Sequence, residues 1–190
     1  SHPTDDLGGK TTVAPTADLI GGKTTIAPSA DLIGGKTTIG SVAGHASRIG
    51  SYKVLGVIGE GGMGVVLRAR HSSDGWAKRQ GGDVAIKLIR KDLAQDEEYR
   101  ERFLDEAALG KRLIHDSLVT VYDVIDDDDT LAVVLQFVEG TSLASHVKST
   151  GMSEKEIVKL LTPLATAIDH LHENGIVHRD LKPDNVIVQP

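Results

Sequence analysis

His178-Arg179-Asp180-Leu181-Lys182-Pro183-Asp184-Asn185 is the stretch that carries most information in this 190-residue sequence. It sets a carboxylate base, two cationic side chains and a metal-binding amide within a few residues of one another. Gly175-Ile176-Val177 leads into it from a helical segment, and Val186-Ile187-Val188 leaves it as a short β-branched strand. A loop pinned between two regular elements is where a scaffold holds reactive groups. His178 is expected to pack rather than to exchange protons.

Upstream, the pattern is helical. Ser153-Glu154-Lys155-Glu156 fits a capping box, and Ile157, Leu160, Leu161, Leu164, Ile168 and Leu171 form the apolar face of a long helix. Pro163 within it removes a donor and is expected to cost a hydrogen bond. A shorter helix is predicted over Ser142–Lys148. Before Gly140 the period changes to that of strands: Val119–Ile125 and Leu131–Val138, joined by the acidic turn Asp126-Asp127-Asp128-Asp129. Gln95–Leu113 has helical spacing in Tyr99, Phe103, Ala107, Gly110 and Leu113. Asp83–Ile89 is a strand rich in valine and isoleucine, and Tyr52–Ile58 and Gly64–Arg70 alternate around a glycine-rich turn. His71–Gly82, with Trp76, reads as a surface loop. Five strands with one inserted helix, followed by helices, make an α+β architecture.

The turn, Gly59-Glu60-Gly61-Gly62-Met63-Gly64-Val65-Val66, has G-x-G-x-x-G spacing. Glycines there permit a tight turn and a close approach to phosphate. In a dinucleotide fold the last glycine opens a helix; here a strand continues, so the turn joins two antiparallel strands. Val84-Ala85-Ile86-Lys87 puts an ammonium into a strand built for burial, which demands an anionic partner. Glu106, on the helical face of Phe103 and Gly110, is the candidate.

These three motifs, in this order, resemble the eukaryotic-type (Hanks-type) bacterial serine/threonine protein kinases from about Tyr52 to Gln189. The resemblance implies a kinase-like fold with a five-stranded antiparallel sheet and helix C at residues 52–138, and the start of a helical lobe at 139–190. It implies an enzyme that moves the γ-phosphoryl group of ATP to Ser/Thr hydroxyls of protein substrates with Mg²⁺. By matching position, Ile58, Gly59, Glu60, Gly61, Gly62, Met63, Gly64, Val66 and Ala85 would surround the nucleotide. Lys87 would hold the α- and β-phosphates with Glu106 beside it. Leu135 would be the gatekeeper, with Gln136–Val138 the hinge that reads adenine through backbone groups. Asp180 would be the catalytic base, Lys182 would neutralise the γ-phosphoryl group, and Asn185 would ligate Mg²⁺. Arg179 beside Asp180 implies switching by phosphorylation of an activation loop. The chemistry agrees, because phosphoryl transfer needs positioning, charge neutralisation and a metal more than covalent help.

The sequence as given ends at Pro190, ahead of the family's Asp-Phe-Gly motif, so this stretch alone is expected to be inactive and marginally stable, with a tendency to aggregate. A pseudokinase that binds nucleotide or a partner without transfer is the alternative reading. Intact Lys87, Glu106, Asp180 and Asn185 favour the enzyme.

Residues 1–51 have another texture. Gly-Gly-Lys-Thr-Thr recurs from Gly8, Gly21 and Gly34, a period of 13. The units bury too little apolar surface to fold by themselves, and a disordered or loosely extended tail and linker are expected. Ala17–Thr24 and Ala30–Thr37 mimic a phosphate loop but lack the strand and helix that one requires. The pairs Thr11-Thr12, Thr24-Thr25 and Thr37-Thr38, each preceded by Lys10, Lys23 or Lys36, are candidate autophosphorylation sites for a phosphothreonine-reading domain. A passive linker is the favoured reading.

Composition narrows the classes. Lys and Arg total 21 against 27 Asp and Glu, a net charge of −6, which argues against nucleic acid. The absence of cysteine removes disulfides and thiolate chemistry. No apolar run reaches the ~20 residues of a membrane helix, and a cytoplasmic location is expected. His170 and His172, two apart, sit on different helix faces, and the Asp126–Asp129 run lacks the glycine and terminal glutamate of a calcium loop.

Overall fold

In the computed structural model, the described residues are 11–13, 47–127, 129–178 and 180–189. Among them the elements run β1 (Thr11–Val13), β2 (Arg48–Ile49), β3 (Tyr52–Gly61), β4 (Gly64–His71), α1 (Asp74–Arg79), β5 (Asp83–Ile89), α2 (Lys91–Ala94), α3 (Glu97–Gly110), β6 (Val121–Asp127), β7 (Thr130–Gln136), β8 (Thr141–Ser142), α4 (Leu143–Thr150), α5 (Glu154–Glu173) and β9 (Val186–Val188). A 3-10 turn, Pro183–Asn185, precedes β9.

The main sheet is antiparallel in the order β2-β3-β4-β5-β7-β6. It has six strands rather than the expected five, because Arg48–Ile49, in the stretch read as linker, pairs with Lys53 and Tyr52. Ile49 is buried there, which gives two residues of linker an apolar reason to join the sheet. Strand alternation sends side chains to two separate cores. Val54, Val65, Leu67, Val84, Ile86 and Val134 form one. Val66, Ala85, Ile89, Val133 and Leu135 pack on the other face against Phe103 and Ala107 of α3.

A third core lies among the helices, where Leu160, Leu164, Ala167 and Leu171 of α5 meet Leu113, Leu118, Leu143 and Ile176. Ser153 caps α5 as the capping box requires: its hydroxyl accepts from the Glu156 N–H, and Glu156 accepts from the Ser153 N–H at 2.7 Å. The helix is continuous through Pro163. The strand β9 joins the cores, for Val186 and Val188 enter the helical core while Ile187 enters the core under α3.

Three further expectations change. His71–Gly82 holds the helix α1, with Trp76 exposed and Arg79 5.2 Å above its ring. The acidic run is tied down by charge rather than only solvated: Arg100 pairs with Asp126, and Lys91 lies 2.8 Å from Asp129. Within the tail, Thr11–Val13 forms a strand that pairs with β9. Residues 1–10 and 14–46 lie outside the described residues, as does Arg179.

Candidate active site

β5 runs between β4 and β7, and Lys87 stands opposite Val66 and Val133. Its neighbours on the same face, Ala85 and Ile89, belong to the core that α3 covers. Lys87 is therefore directed into that layer and is 0% exposed. An ammonium so placed is tolerated only with compensating charge. α3 is capped at its start by Asp96, whose carboxylate accepts from the Tyr99 N–H at 2.9 Å. Phe103 and Ala107 anchor the helix on the sheet, so Glu106, half-buried, is carried on the side that meets Lys87's layer.

The glycine-rich turn is built by the β3–β4 pairing, which closes at Gly61 opposite Gly64. Gly64 has φ +152°, and a β-carbon there would lie 2.0 Å from the Leu88 carbonyl oxygen. Close approach to β5 thus requires glycine at this position. Gly59 and Gly62 differ: a β-carbon on either meets nothing within 4 Å. They leave open space beside the turn. Arg90 steadies the tip, its N–H donating to the Met63 carbonyl and its guanidinium to the Gly62 carbonyl, each at 2.9 Å.

Ile58, Val66, Ala85, Leu135 and Val138 come together in a single apolar cluster, although they are drawn from four strands and a loop. Ile187 of β9 completes it. Sequence reasoning passed over Ile187; its place one step from Asn185's strand-forming neighbour was the available signal. At the hinge, the Gln136 N–H donates to the Thr120 carbonyl at 2.9 Å, and the Gln136 side chain accepts from the Thr120 N–H at 3.3 Å. That N–H is committed within the protein, which leaves the other backbone groups of Gln136–Val138 for the expected hinge role. Arg68 lies 4.6 Å above the Phe137 ring and 2.6 Å from Asp83, a link that no motif signalled.

In the loop before β9, the Asp180 carboxylate accepts from Lys182 Nζ at 2.8 and 3.1 Å and from Asn185 Nδ2 at 3.0 Å. Asn185 Nδ2 also donates to the Asp180 carbonyl at 2.8 Å. The Lys182 hydrogen bond is the largest influence holding the Asp180 carboxyl below the usual carboxylate range; partial burial opposes it, and Asn185 adds to it. Asn185 is 5% exposed, and with its amide nitrogen committed to Asp180, its buried Oδ1 has no hydrogen-bond donor among the described residues. His178 is buried, in keeping with a packing role. Among the described residues, no group of three or more His, Asp or Glu side chains gathers into a metal cluster.

The site combines an Asp180 carboxyl held below its ordinary range, a buried lysine, a glycine turn tied down by Arg90 and an apolar cluster. Comparison with known proteins fits that combination. The protein kinase domain family matches residues 52–190. The serine/threonine-protein kinase PrkC of Bacillus subtilis is 39% identical over 140 residues, covering 73% of this chain and 21% of the relative. PknH of Mycobacterium tuberculosis, also a serine/threonine-protein kinase, is 34% identical over 143 residues, 75% of this chain and 22% of the relative. The chain thus spans about a fifth of the length of these relatives. The PknI kinase domain of M. tuberculosis superposes with a TM-score of 0.62 at 28% identity, over 75% of this chain and 57% of that domain's chain. Matched in sequence from the first strand of the hairpin to the loop of Asp180, and in fold to a solved kinase domain, the chain belongs to the protein kinase domain family.

Proposed function

We propose that the chain carries the nucleotide-binding and base-bearing part of a serine/threonine protein kinase, which transfers the γ-phosphoryl group of ATP to Ser or Thr hydroxyls of protein substrates. The observation that carries this reading is the assembly of Ile58, Val66, Ala85, Leu135, Val138 and Ile187 into one apolar cluster, in the layer that the buried Lys87 enters, with Asn185 only two residues before Ile187. A planar base packs against an apolar surface, and the committed Gln136 N–H leaves the Val138 backbone to face its edge. Gly59 and Gly62 offer the open space that phosphates need; Glu60, Gly61, Met63 and Gly64 complete that turn. Lys87, paired with Glu106, neutralises phosphate charge.

Protein kinases use ATP and Mg²⁺. Asn185 fits the metal: its Oδ1 is a hard oxygen that accepts no hydrogen bond among the described residues. When bound, the ion supplies charge neutralisation on the phosphate oxygens. Asp180 receives the hydroxyl proton of the substrate, and Lys182 sets a positive charge next to that carboxylate where the transferred group arrives. The comparison with named serine/threonine kinases supports transfer over mere nucleotide binding.

In this reading residues 1–51 are a tail, 52–138 the sheet lobe and 139–190 the start of the helical lobe. A passive linker is the favoured reading of the tail; the alternative, in which its threonine pairs accept phosphate and recruit a phosphothreonine-reading domain, fails if mass spectrometry after exposure to ATP and Mg²⁺ finds those threonines unmodified while others are phosphorylated. The pairs Thr24-Thr25 and Thr37-Thr38 lie outside the described residues. Among the described residues, no helix is long and apolar enough to cross a membrane. We place the domain on the cytoplasmic side, where ATP is supplied. Mg²⁺-dependent transfer from labelled ATP to a generic basic protein, using the full-length protein with and without Lys87→Met, tests the activity. Transfer that survives Lys87→Met, or never occurs while ATP binds, would sink it.

A further inference from the structure

β4 and β5 carry a charged row at the end of the apolar layer. Strand alternation puts Val66, Arg68 and Arg70 on one face of β4, opposite Lys87, Ala85 and Asp83 of β5. Val66 and Ala85 belong to the core under α3, so Arg68 and Asp83 continue that layer. The Asp83 side chain is only 7% exposed, and a carboxylate so placed needs compensating charge. Arg68 Nε and Arg70 Nε each donate to it at 2.6 Å, one to each oxygen.

Arg68 reaches further, to the hinge. With Nε spent on Asp83, its guanidinium lies 4.6 Å above the Phe137 ring, within cation–π range. Its Nη2 is 4.0 Å from Glu139 Oε1. Phe137 and Glu139 flank Val138, so one guanidinium meets the hinge on either side of the residue whose backbone is left to face the base. This is where the chain needs holding. β7 ends at Gln136, which is bound to Thr120, and from Phe137 onward the sheet ladder no longer fixes the backbone. Arginine suits the task, because its planar group can bond one partner through its edge and stack on another through its face; an ammonium cannot do both.

We propose that Arg68, oriented by Asp83, is a positioning residue that holds hinge residues 137–139 in the conformation that receives the adenine base. It acts through Phe137 and on the base, and it has no part in holding the phosphates or in moving the proton. The inference rests on the nucleotide-binding reading above and deepens it by naming a residue that sets affinity for the base. Arg70 shares the same carboxylate and keeps Asp83 compensated when Arg68 is replaced.

Titration of the full-length protein with adenosine, and separately with inorganic tripolyphosphate, tests the proposal, because the first probe lacks the phosphates and the second lacks the base. Arg68→Met and Arg68→Lys should each weaken adenosine binding about fivefold or more. Tripolyphosphate should change by less than about twofold in the lysine variant, which keeps the charge. Arg70→Met, which takes a cation from the same carboxylate, should change adenosine binding by less than about twofold. Phe137→Leu leaves every ion pair in place and should reproduce the loss, and adding Arg68→Met to it should weaken adenosine no further. In transfer assays KM for ATP should rise by the same factor, with kcat at saturating ATP little changed. Unchanged adenosine affinity in the Arg68 variants, an equal loss for both probes in Arg68→Lys, or losses that multiply in the double variant would each overturn the role of Arg68 and leave the nucleotide reading standing. A wild-type protein that binds no adenosine would sink that reading, and this inference with it.

Discussion

Asn185 Nδ2 lies 3.0 Å from Asp180 Oδ2, and the same nitrogen bonds the Asp180 carbonyl at 2.8 Å. One amide group thus holds both the side chain and the backbone of Asp180. Replacing Asn185 by alanine should loosen Asp180 and delete the Oδ1 acceptor together. In steady-state assays of the full-length protein, the Mg²⁺ concentration for half-maximal rate should rise, with kcat falling about 10²-fold or more. An unchanged metal requirement would remove Asn185 from the metal's company.

Asp180→Asn should remove proton acceptance while keeping most of the hydrogen-bond geometry. The transfer rate should fall about 10²–10⁴-fold, with nucleotide affinity, measured by fluorescence titration, nearly unchanged. Loss of nucleotide binding instead would mean that Asp180 organises the loop rather than the chemistry.

Lys87→Met should abolish transfer at a measurable cost in stability. The ammonium is fully buried, and removing one partner of the proposed pair leaves the Glu106 carboxylate uncompensated. Glu106 is half-buried, so thermal unfolding should show a loss of about 1–3 kcal/mol. An unchanged unfolding midpoint would mean that Lys87 does not compensate Glu106.

The two ends of the glycine turn should respond differently. Gly64→Ala forces a β-carbon to 2.0 Å from the Leu88 carbonyl oxygen at φ +152°, so about 2 kcal/mol or more of stability should go. Gly62→Ala meets nothing within 4 Å; it should leave the unfolding midpoint in place and weaken nucleotide binding. Equal thermal effects would contradict the packing of this hairpin on β5.

The Lys182 hydrogen bond depresses the Asp180 carboxyl below its ordinary range. A depressed folded value means that the stabilisation is present above the unfolded carboxylate range and is lost as pH falls through the lower folded value. The acid limb of the rate profile should accordingly lie below the ordinary aspartate range. Lys182→Met removes the largest lowering influence, so that limb should move upward in pH, seen at limiting peptide substrate. A limb that stays put would show that another group sets it.

Much of the site was legible from residue order. G-x-G-x-x-G before a strand, lysine in a buried valine-rich strand, and Asp180 through Asn185 between helix and strand are local patterns. Each names its chemistry through a few neighbouring residues. The capping box at Ser153 was equally local and formed as the spacing requires. Less visible was the short helix Asp74–Arg79, whose six residues are too few for a helical period to declare itself.

Residue order alone determined the order of the longer strands and helices and most of their buried faces, because these follow from periods of two and 3.6 residues; on the long helix, Leu160, Leu164 and Leu171 are buried as the period requires, whereas Ile157 and Leu161 of the expected apolar face are exposed. Tertiary structure decided what no period encodes. Arg68 and Arg70 share Asp83, Ile187 reaches across to Val66 and Ala85's layer, and Thr11 finds the Leu160 carbonyl. Each of these joins residues far apart in the chain or on separate strands. Their meeting depends on register and on the packing of one layer over another, quantities set by the whole fold rather than by any stretch of it.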